Sequence, residues 1–103
     1  MTRTINFLKR ALIDAFDFYS VKKASAILAE QLSKVNTPLL VDYVAQYPVQ
    51  IIRRRISYFL RKLGVSQKLL NKVDTGTKGY SLLYDTEVKR GKIDKRWRVI
   101  ING

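Results

Sequence analysis

Cysteine and histidine are both absent from the chain. Without cysteine there is no disulfide framework, and without either residue there is no zinc site of the Cys or His type. The same absences exclude nucleophilic catalysis by a Cys–His or a Ser–His pair. A magnesium site made of carboxylates stays open.

Long apolar runs are missing as well. No stretch approaches the ~20 consecutive apolar residues that cross a bilayer. The first twenty residues do not resemble a signal peptide, since charged side chains interrupt their apolar positions at Lys9, Arg10, Asp14 and Asp17. The sequence therefore predicts a cytoplasmic protein with no membrane partner.

Acidic residues are few. Asp and Glu number 8 against 20 Lys and Arg, which gives a net charge of +12. The excess lies in the second half, because residues 53–103 hold fourteen basic and four acidic side chains. A field polarised in this way suits a polyanion. Nucleic acid is the predicted partner, DNA before RNA.

The 103 residues are enough for one domain with a core of its own. Apolar spacing predicts helices at about 4–19, 20–35, 38–47, 48–63 and 66–72. Two further segments, about 80–84 and 96–102, are predicted strands, with a turn at Arg90-Gly91 between them. The expected fold is α+β, mostly α: four to five helices with a C-terminal antiparallel β-hairpin.

Residues that commonly begin or end helices stand at the predicted boundaries. Thr4, Ser20 and Ser66 are expected as N-caps, and Asn36 as the residue that ends the second helix. Thr37-Pro38 is the expected N-cap and first residue of the third helix. Gly64 follows the fourth helix, where a left-handed C′ residue is common.

The predicted fourth helix carries an apolar stripe that includes Ile52, Ile56 and Leu60. At 100° per residue, four cations and a tyrosine fall on the opposite side and are expected to face solvent. The terminal segment KRGKIDKRWRVIING then adds further cations before an apolar strand. The predicted nucleic-acid-binding residues are Arg54, Arg55, Arg61, Lys62, Lys89, Arg90, Lys92, Lys95, Arg96 and Arg98.

Two aromatic residues accompany these cations. Tyr58 is a candidate for stacking on bases, whereas Trp97, in a strand, is expected to anchor the core. Gly91 is expected to let the backbone approach closely and bend.

Carboxylates suggest two further arrangements. Asp85, Glu87 and Lys89 have the order of a magnesium-dependent nuclease site, with Asp74 as the other candidate for the upstream acid. This segment, however, follows the predicted strand instead of lying within a larger sheet. Asp14 and Asp17, one helical turn apart, are expected to fix helix packing, one of them through a cation at the core edge such as Arg53.

Four stretches of the chain, taken in order, carry a resemblance to a known family. Residues 10–15 (RALIDA), 54–60 (RRISYFL) and 83–85 (LYD) are similar to its ERALIDAL, RRLGYLL and PLDP segments. Residues 90–102 (RGKIDKRWRVIIN) resemble its terminal RGKRDKRWRLIVN, the most specific of the four. The family is AbiEi, the antitoxins and transcriptional regulators of type IV toxin–antitoxin (abortive infection) systems.

The resemblance implies a C-terminal domain of helices and a small sheet, which in the family follows an operator-binding winged helix. It also implies a functional link, without a stable complex, to a toxin that resembles nucleotidyltransferases. The 103 residues hold no counterpart of the winged helix, so operator recognition is not carried over. Arg61 stands where the family often has an acidic residue. The chain is either a stand-alone relative or a fragment of a longer protein.

The residues and the resemblance together predict a non-enzymatic domain of an AbiEi-like antitoxin or transcriptional regulator. It would contact nucleic-acid phosphates through Lys and Arg and need no cofactor or metal. Two alternatives stay open: a small magnesium-dependent nuclease using Asp85, Glu87 and Lys89, and a protein-interaction module for an acidic partner.

Overall fold

A computed structural model describes the backbone of residues 2–103 and the side chains of residues 8–103. Within that range, a helical half precedes a small sheet. The helices are α1 Thr2–Phe18, α2 Val21–Gln31, α3 Thr37–Gln46, α4 Gln50–Lys62 and α5 Gln67–Leu70. The strands are β1 Ser81–Leu82, β2 Lys92–Asp94 and β3 Val99–Ile101. The predicted class, α+β and mostly α, is confirmed.

Three of the predicted helix ends carry the expected capping contacts. The side chains of Ser20 and Ser66 accept hydrogen bonds from the backbone N–H groups of Lys23 and Leu69, at 3.2 Å each. After α4, Gly64 takes a left-handed φ of 99°. The N–H of Val65 then reaches back to the carbonyl of Leu60, which is a Schellman ending.

Several of the predicted helix boundaries are wrong. Asn36 does not end a helix in the left-handed conformation; it is the N-cap of α3, and its side chain accepts from the N–H of Leu39. Thr37, the predicted N-cap, is instead the first residue of that helix. The second helix is shorter than predicted, because the last turn before Asn36 is a 3₁₀ helix, Leu32–Lys34. Thr4 lies inside α1, whose backbone is helical from Thr2, so it is not the N-cap.

The core forms where α1 packs against α2, α3 and α4. Its fully buried side chains include Phe16 from α1, Leu28 from α2, Leu40 from α3 and Ile56 from α4. The C-terminal half closes the same core with Leu83, Trp97 and Val99. Trp97 is 2% exposed, so the prediction that it anchors the core is confirmed. In the described part of the chain, every helix is too short or too polar to cross a membrane.

The sheet has the order β1-β3-β2 and is mixed. The two segments predicted to form a hairpin are in fact parallel: Ser81 pairs with Val99, and Leu82 with Ile100. The antiparallel partner of β3 is β2, which was not predicted. Its three residues, Lys92–Asp94, are largely exposed and include one apolar side chain, so they have no burial pattern that would mark a strand.

The turn that joins the antiparallel pair is residues 95–98, not Arg90-Gly91. Arg98 ends it with a φ of 58°, a left-handed conformation that is uncommon for a side chain other than Gly, Asn or Asp. Gly91 permits the close approach of backbone that was predicted, but it does not form the predicted bend. A Cβ there would overlap the carbonyl oxygen of Ile101, because β2 begins directly beside the end of β3.

The side chain of Asn102 continues the parallel pairing of β1 and β3 beyond the ends of the two strands. Its Oδ1 accepts from the N–H of Tyr84 (2.8 Å), and its Nδ2 donates to the carbonyl of the same residue (3.0 Å). The Nδ2 group also donates to the carbonyl of Val88 (2.6 Å). The buried amide thus pairs with Tyr84 as a neighbouring backbone would and holds the loop that leads to β2.

Lys9 is buried against Tyr43 at the contact of α1 and α3. The side chain is 0% exposed, and its Nζ has no hydrogen-bond partner among the described residues. It lies 5.9 Å from the centroid of the Tyr43 ring, at the outer limit of a cation–π contact. A buried ammonium with so little compensation costs folding free energy.

We predict that Lys9→Met raises the free energy of unfolding by about 1 kcal/mol, because Met keeps the stem and removes the desolvated charge. Urea unfolding measures the change. Lys23→Met, at an exposed position on α2, serves as the control and is expected to shift stability by less than about 0.5 kcal/mol. A loss of stability in Lys9→Met larger than that of the control would contradict the prediction.

Candidate nucleic-acid interface

Three consecutive arginines of α4 bind the backbone of the segment 74–85. Arg53 donates to the carbonyls of Asp74 (2.8 Å) and Tyr47. Arg54 and Arg55 continue along the same segment toward β1. The side of α4 opposite its apolar stripe is therefore covered by the segment 74–85 along the middle of the helix. The prediction that Arg54 and Arg55 face solvent to bind phosphates is wrong.

Arg54 is the most enclosed of the three, at 3% exposed. Its guanidinium donates to the carbonyls of Thr75 (2.8 Å) and Lys78 (2.9 Å) and to Oγ of Ser81 (2.9 Å). Burial, followed by the neighbouring cations Arg98 and Arg53, lowers the pKa of Arg54. Arginine starts from so high a value that the group stays charged, and oxygen dipoles take the place of water around it.

Arg55 continues the contact into the sheet and neutralises a carboxylate. Its Nε donates to the carbonyl of Leu82 (2.9 Å), and its Nη2 lies 2.8 Å from Oδ1 of Asp85. Asp85 is one of the two carboxylates of the predicted nuclease arrangement, and here it binds a buried guanidinium. Among the described residues, no group of three or more Asp, Glu, His or Cys side chains comes together to hold a metal ion.

We predict that Arg54→Met lowers the free energy of unfolding by about 3 kcal/mol, because one buried carbonyl, one partly buried carbonyl and a partly buried hydroxyl lose their donor. Equilibrium urea denaturation gives the value. Arg61→Met, at an exposed position of the same helix, is the matched control, with an expected change below about 0.5 kcal/mol. Equal losses in the two variants would show that the internal contacts do not stabilise the fold.

The far end of α4 behaves differently, because Arg61 and Lys62 are exposed as predicted. Together with Asp94 and Trp97 they line a small groove of about 100 Å³, so the C-terminal end of α4 lies beside the β2–β3 turn. Tyr58 is at the floor of that groove but is 7% exposed, and the prediction that it stacks on bases is wrong. Lys62 lies over its ring at 5.8 Å.

Residues 89–98, here called the basic ribbon, comprise the approach to β2, the strand itself and the β2–β3 turn. Lys89, Arg90, Lys92, Lys95 and Arg96 are exposed, and Arg98 is half-buried. Strand geometry separates Lys92 from Lys95 by roughly 10 Å. The ribbon thus displays cations at both ends of a short hairpin, and one end adjoins Arg61 and Lys62.

Two arginines of the ribbon are held by contacts of their own. Arg96 stacks on Trp97, with its guanidinium carbon 4.1 Å from the ring centroid, and donates to Oδ1 of Asn71 (2.9 Å). Arg98 donates to the carbonyl of Gly79 (3.0 Å) and lies over the ring of Tyr80. These contacts limit the motion of both side chains and leave some of their N–H donors open.

Carboxylates do not neutralise the ribbon. Across the described residues the ion pairs are Arg10–Asp14, Arg55–Asp85 and Lys72–Asp42, and none includes a ribbon residue. Asp94, which lies within the ribbon, accepts a hydrogen bond from the N–H of Trp97 at 3.0 Å and so fixes the turn. The six cations of the ribbon therefore keep their charge available to a ligand.

The two carboxylates of α1 do not contact Arg53, contrary to the prediction. Asp17 accepts a 2.7 Å hydrogen bond from the hydroxyl of Tyr47, and Asp14 lies near the same tyrosine and 3.8 Å from Arg10. Burial, then the hydrogen bond and charge of Asp17, raise the pKa of Tyr47 to about 12. The packing role predicted for this pair is served by Tyr47, the residue that follows α3, and not by a cation.

This shift makes stability depend on pH in the alkaline range. The unfolded tyrosine releases its proton near pH ~10, whereas the folded one keeps it to about 12. The stabilisation that comes from the raised pKa of Tyr47 is fully present below about pH 10 and is lost as the pH rises through about 12. We expect Tyr47→Phe to lose less stability than the wild type over that interval, and Asp17→Asn to behave between the two. Urea unfolding at a series of alkaline pH values compares the slopes, and equal slopes would contradict the assignment.

Comparison with known proteins adds no relative to this geometry: no family model matches the chain, and neither the curated proteins nor the solved structures searched contain a match. The resemblance to the AbiEi family consequently remains a prediction from the quoted motifs.

Proposed function

We propose that this domain binds nucleic acid through the basic ribbon and the adjoining end of α4. One observation carries the proposal: eight cations lie in these two adjacent elements, and within the described chain no carboxylate forms an ion pair with any of them. They are Arg61, Lys62, Lys89, Arg90, Lys92, Lys95, Arg96 and Arg98.

The aromatic side chains suggest which part of the nucleic acid is contacted. Tyr58 and Trp97 are both buried, and the Trp97 ring is stacked with Arg96. Neither offers an open ring on which a base could stack. Contacts from Lys and Arg to the phosphate backbone carry no sequence information of their own. The proposed binding is therefore weak, with little sequence preference, and duplex DNA is the preferred form.

The regulatory context is a second part of the proposal. We infer a non-enzymatic, cytoplasmic domain of an antitoxin or transcriptional regulator, and its support is the ordered resemblance to the AbiEi segments. A gene for a nucleotidyltransferase-like toxin is expected beside the gene for this chain. Co-expression should neutralise that toxin without the two proteins co-purifying. Toxicity that is unchanged by this chain would count against the antitoxin role and leave the binding proposal standing.

Salt dependence tests the binding itself. We expect affinity for a short fluorescein-labelled DNA duplex, measured by anisotropy, to fall steeply between about 50 and 200 mM salt, because phosphate contacts release counterions. The triple variant Lys89→Ala, Arg90→Ala, Lys92→Ala should lower the log–log slope by up to about 2.7, at ~0.9 per lost contact.

The matched control is Lys22→Ala, Lys23→Ala, Lys34→Ala, which removes the same charge from exposed positions in the first half of the chain. It is expected to keep the wild-type slope. A flat salt response would overturn the proposal, as would equal losses in the two triple variants. Cleavage of plasmid DNA with magnesium, abolished by Glu87→Ala, would instead favour the nuclease.

A further inference from the structure

A cleft of about 480 Å³ lies between the C-terminal end of α1 and the end of α3 with the turn into α4. Its walls include Asp14, Asp17 and Phe18 on one side and Tyr43, Tyr47 and Val49 on the other. The cleft lies in the first half of the chain. It shares no residue with the basic ribbon, so its occupant does not depend on the proposed function.

The rim of the cleft is apolar and unusually exposed. Phe18 is 79% exposed, and Tyr43 and Val49 are 36% and 37% exposed. Tyr43 also covers the buried Lys9, whereas Phe18 is largely in water. Contiguous apolar side chains that stay in water commonly mark a surface where another molecule binds.

Two carboxylates line the cleft, in contrast to the positive net charge of the molecule. The hydroxyl of Tyr47 holds one oxygen of Asp17 at 2.7 Å, and the other oxygen has no hydrogen bond among the described residues. The side chain of Asp14 is 34% exposed, and its contact, Arg10, is 83% exposed. An ion pair with this separation and this exposure contributes little to stability, and Asp14 can readily exchange Arg10 for another cation.

We propose that this cleft docks a short segment of a partner protein in which Lys or Arg stands next to a bulky apolar residue. The cation would bind Asp17 and Asp14, and the apolar side chain would cover Phe18, Tyr43 and Val49. Charge complementarity selects this occupant, because Asp14 and Asp17 outnumber Arg10 among the described residues that line the cleft. An enclosing pocket would cover most of a small ligand, whereas this cleft leaves its apolar rim in solvent, as a peptide groove does.

A basic segment has few other places to bind on this molecule. The net charge of +12 repels it, and the ribbon repels it most strongly. Attraction must therefore come from local carboxylates combined with apolar contact. This distinguishes the proposed docking from non-specific electrostatic adhesion.

The test is an NMR titration of the isotope-labelled protein with a short acetylated, amidated peptide in which Leu and Arg alternate. Saturable shifts of the backbone amides of Asp17, Phe18 and Tyr47 are expected. Matched peptides with Glu for Arg, or Ser for Leu, should bind at least about tenfold more weakly. The double variant Asp14→Asn, Asp17→Asn and the single variant Phe18→Ser should each weaken binding of the Leu–Arg peptide about tenfold.

Glu30→Gln on α2, which also removes one exposed carboxylate, is expected to leave the affinity unchanged. Because Asn keeps an acceptor for Tyr47 and Phe18 is largely exposed, the variants should stay folded, which their spectra report directly. The proposal is overturned by equal binding of the Glu peptide, by shifts centred on the basic ribbon, or by no saturable shifts with any peptide. Benzylamine alone binding as tightly as the peptide would also overturn it, in favour of a small-molecule site.

Discussion

The C-terminal half of this domain depends on guanidinium groups that bind backbone carbonyls. The segment 74–85 has little regular structure, so its carbonyls find few partners within the segment itself. Arg53, Arg54 and Arg55 supply donors at successive points along it. A planar group with five fixed N–H donors can satisfy several carbonyls at once, which lysine cannot do. Neutral dipoles and one carboxylate compensate the three charges, and β1 is thereby placed for pairing with β3.

This arrangement divides the positive charge of the second half into two populations. Arginines in the middle of α4 bind the protein itself, whereas Arg61, Lys62 and the ribbon face solvent. The division follows from the path of the chain, because the loop after α5 crosses α4 near its middle and leaves its last turn free. The field that a polyanion meets therefore comes from the external cations. The internal ones hold β1, which pairs with β3 of the hairpin that carries most of those cations.

The two halves also differ in the sign of the local surface. The basic ribbon presents cations that have no carboxylate partner among the described residues. The cleft at the end of α1 presents two carboxylates beside exposed aromatic and aliphatic side chains. Charge complementarity therefore favours different ligands at the two places, a polyanion at one and a basic segment at the other. Because they share no residue, changes to one are expected to leave the other intact.

Local physical chemistry alone determined much of this protein. Helical spacing, the serine caps, Gly64 and the core position of Trp97 could all be predicted, because each depends on neighbours within a few residues or on burial of a large apolar side chain. Tertiary structure decided which part of α4 is exposed to water, since the angular positions of residues around a helix do not show which distant loop will cover them. It also decided that 81–82 and 99–101 pair in parallel, that the exposed β2 forms the hairpin, and that Asp17 meets Tyr47. Those outcomes depend on contacts between residues far apart in the chain, and no local pattern encodes them.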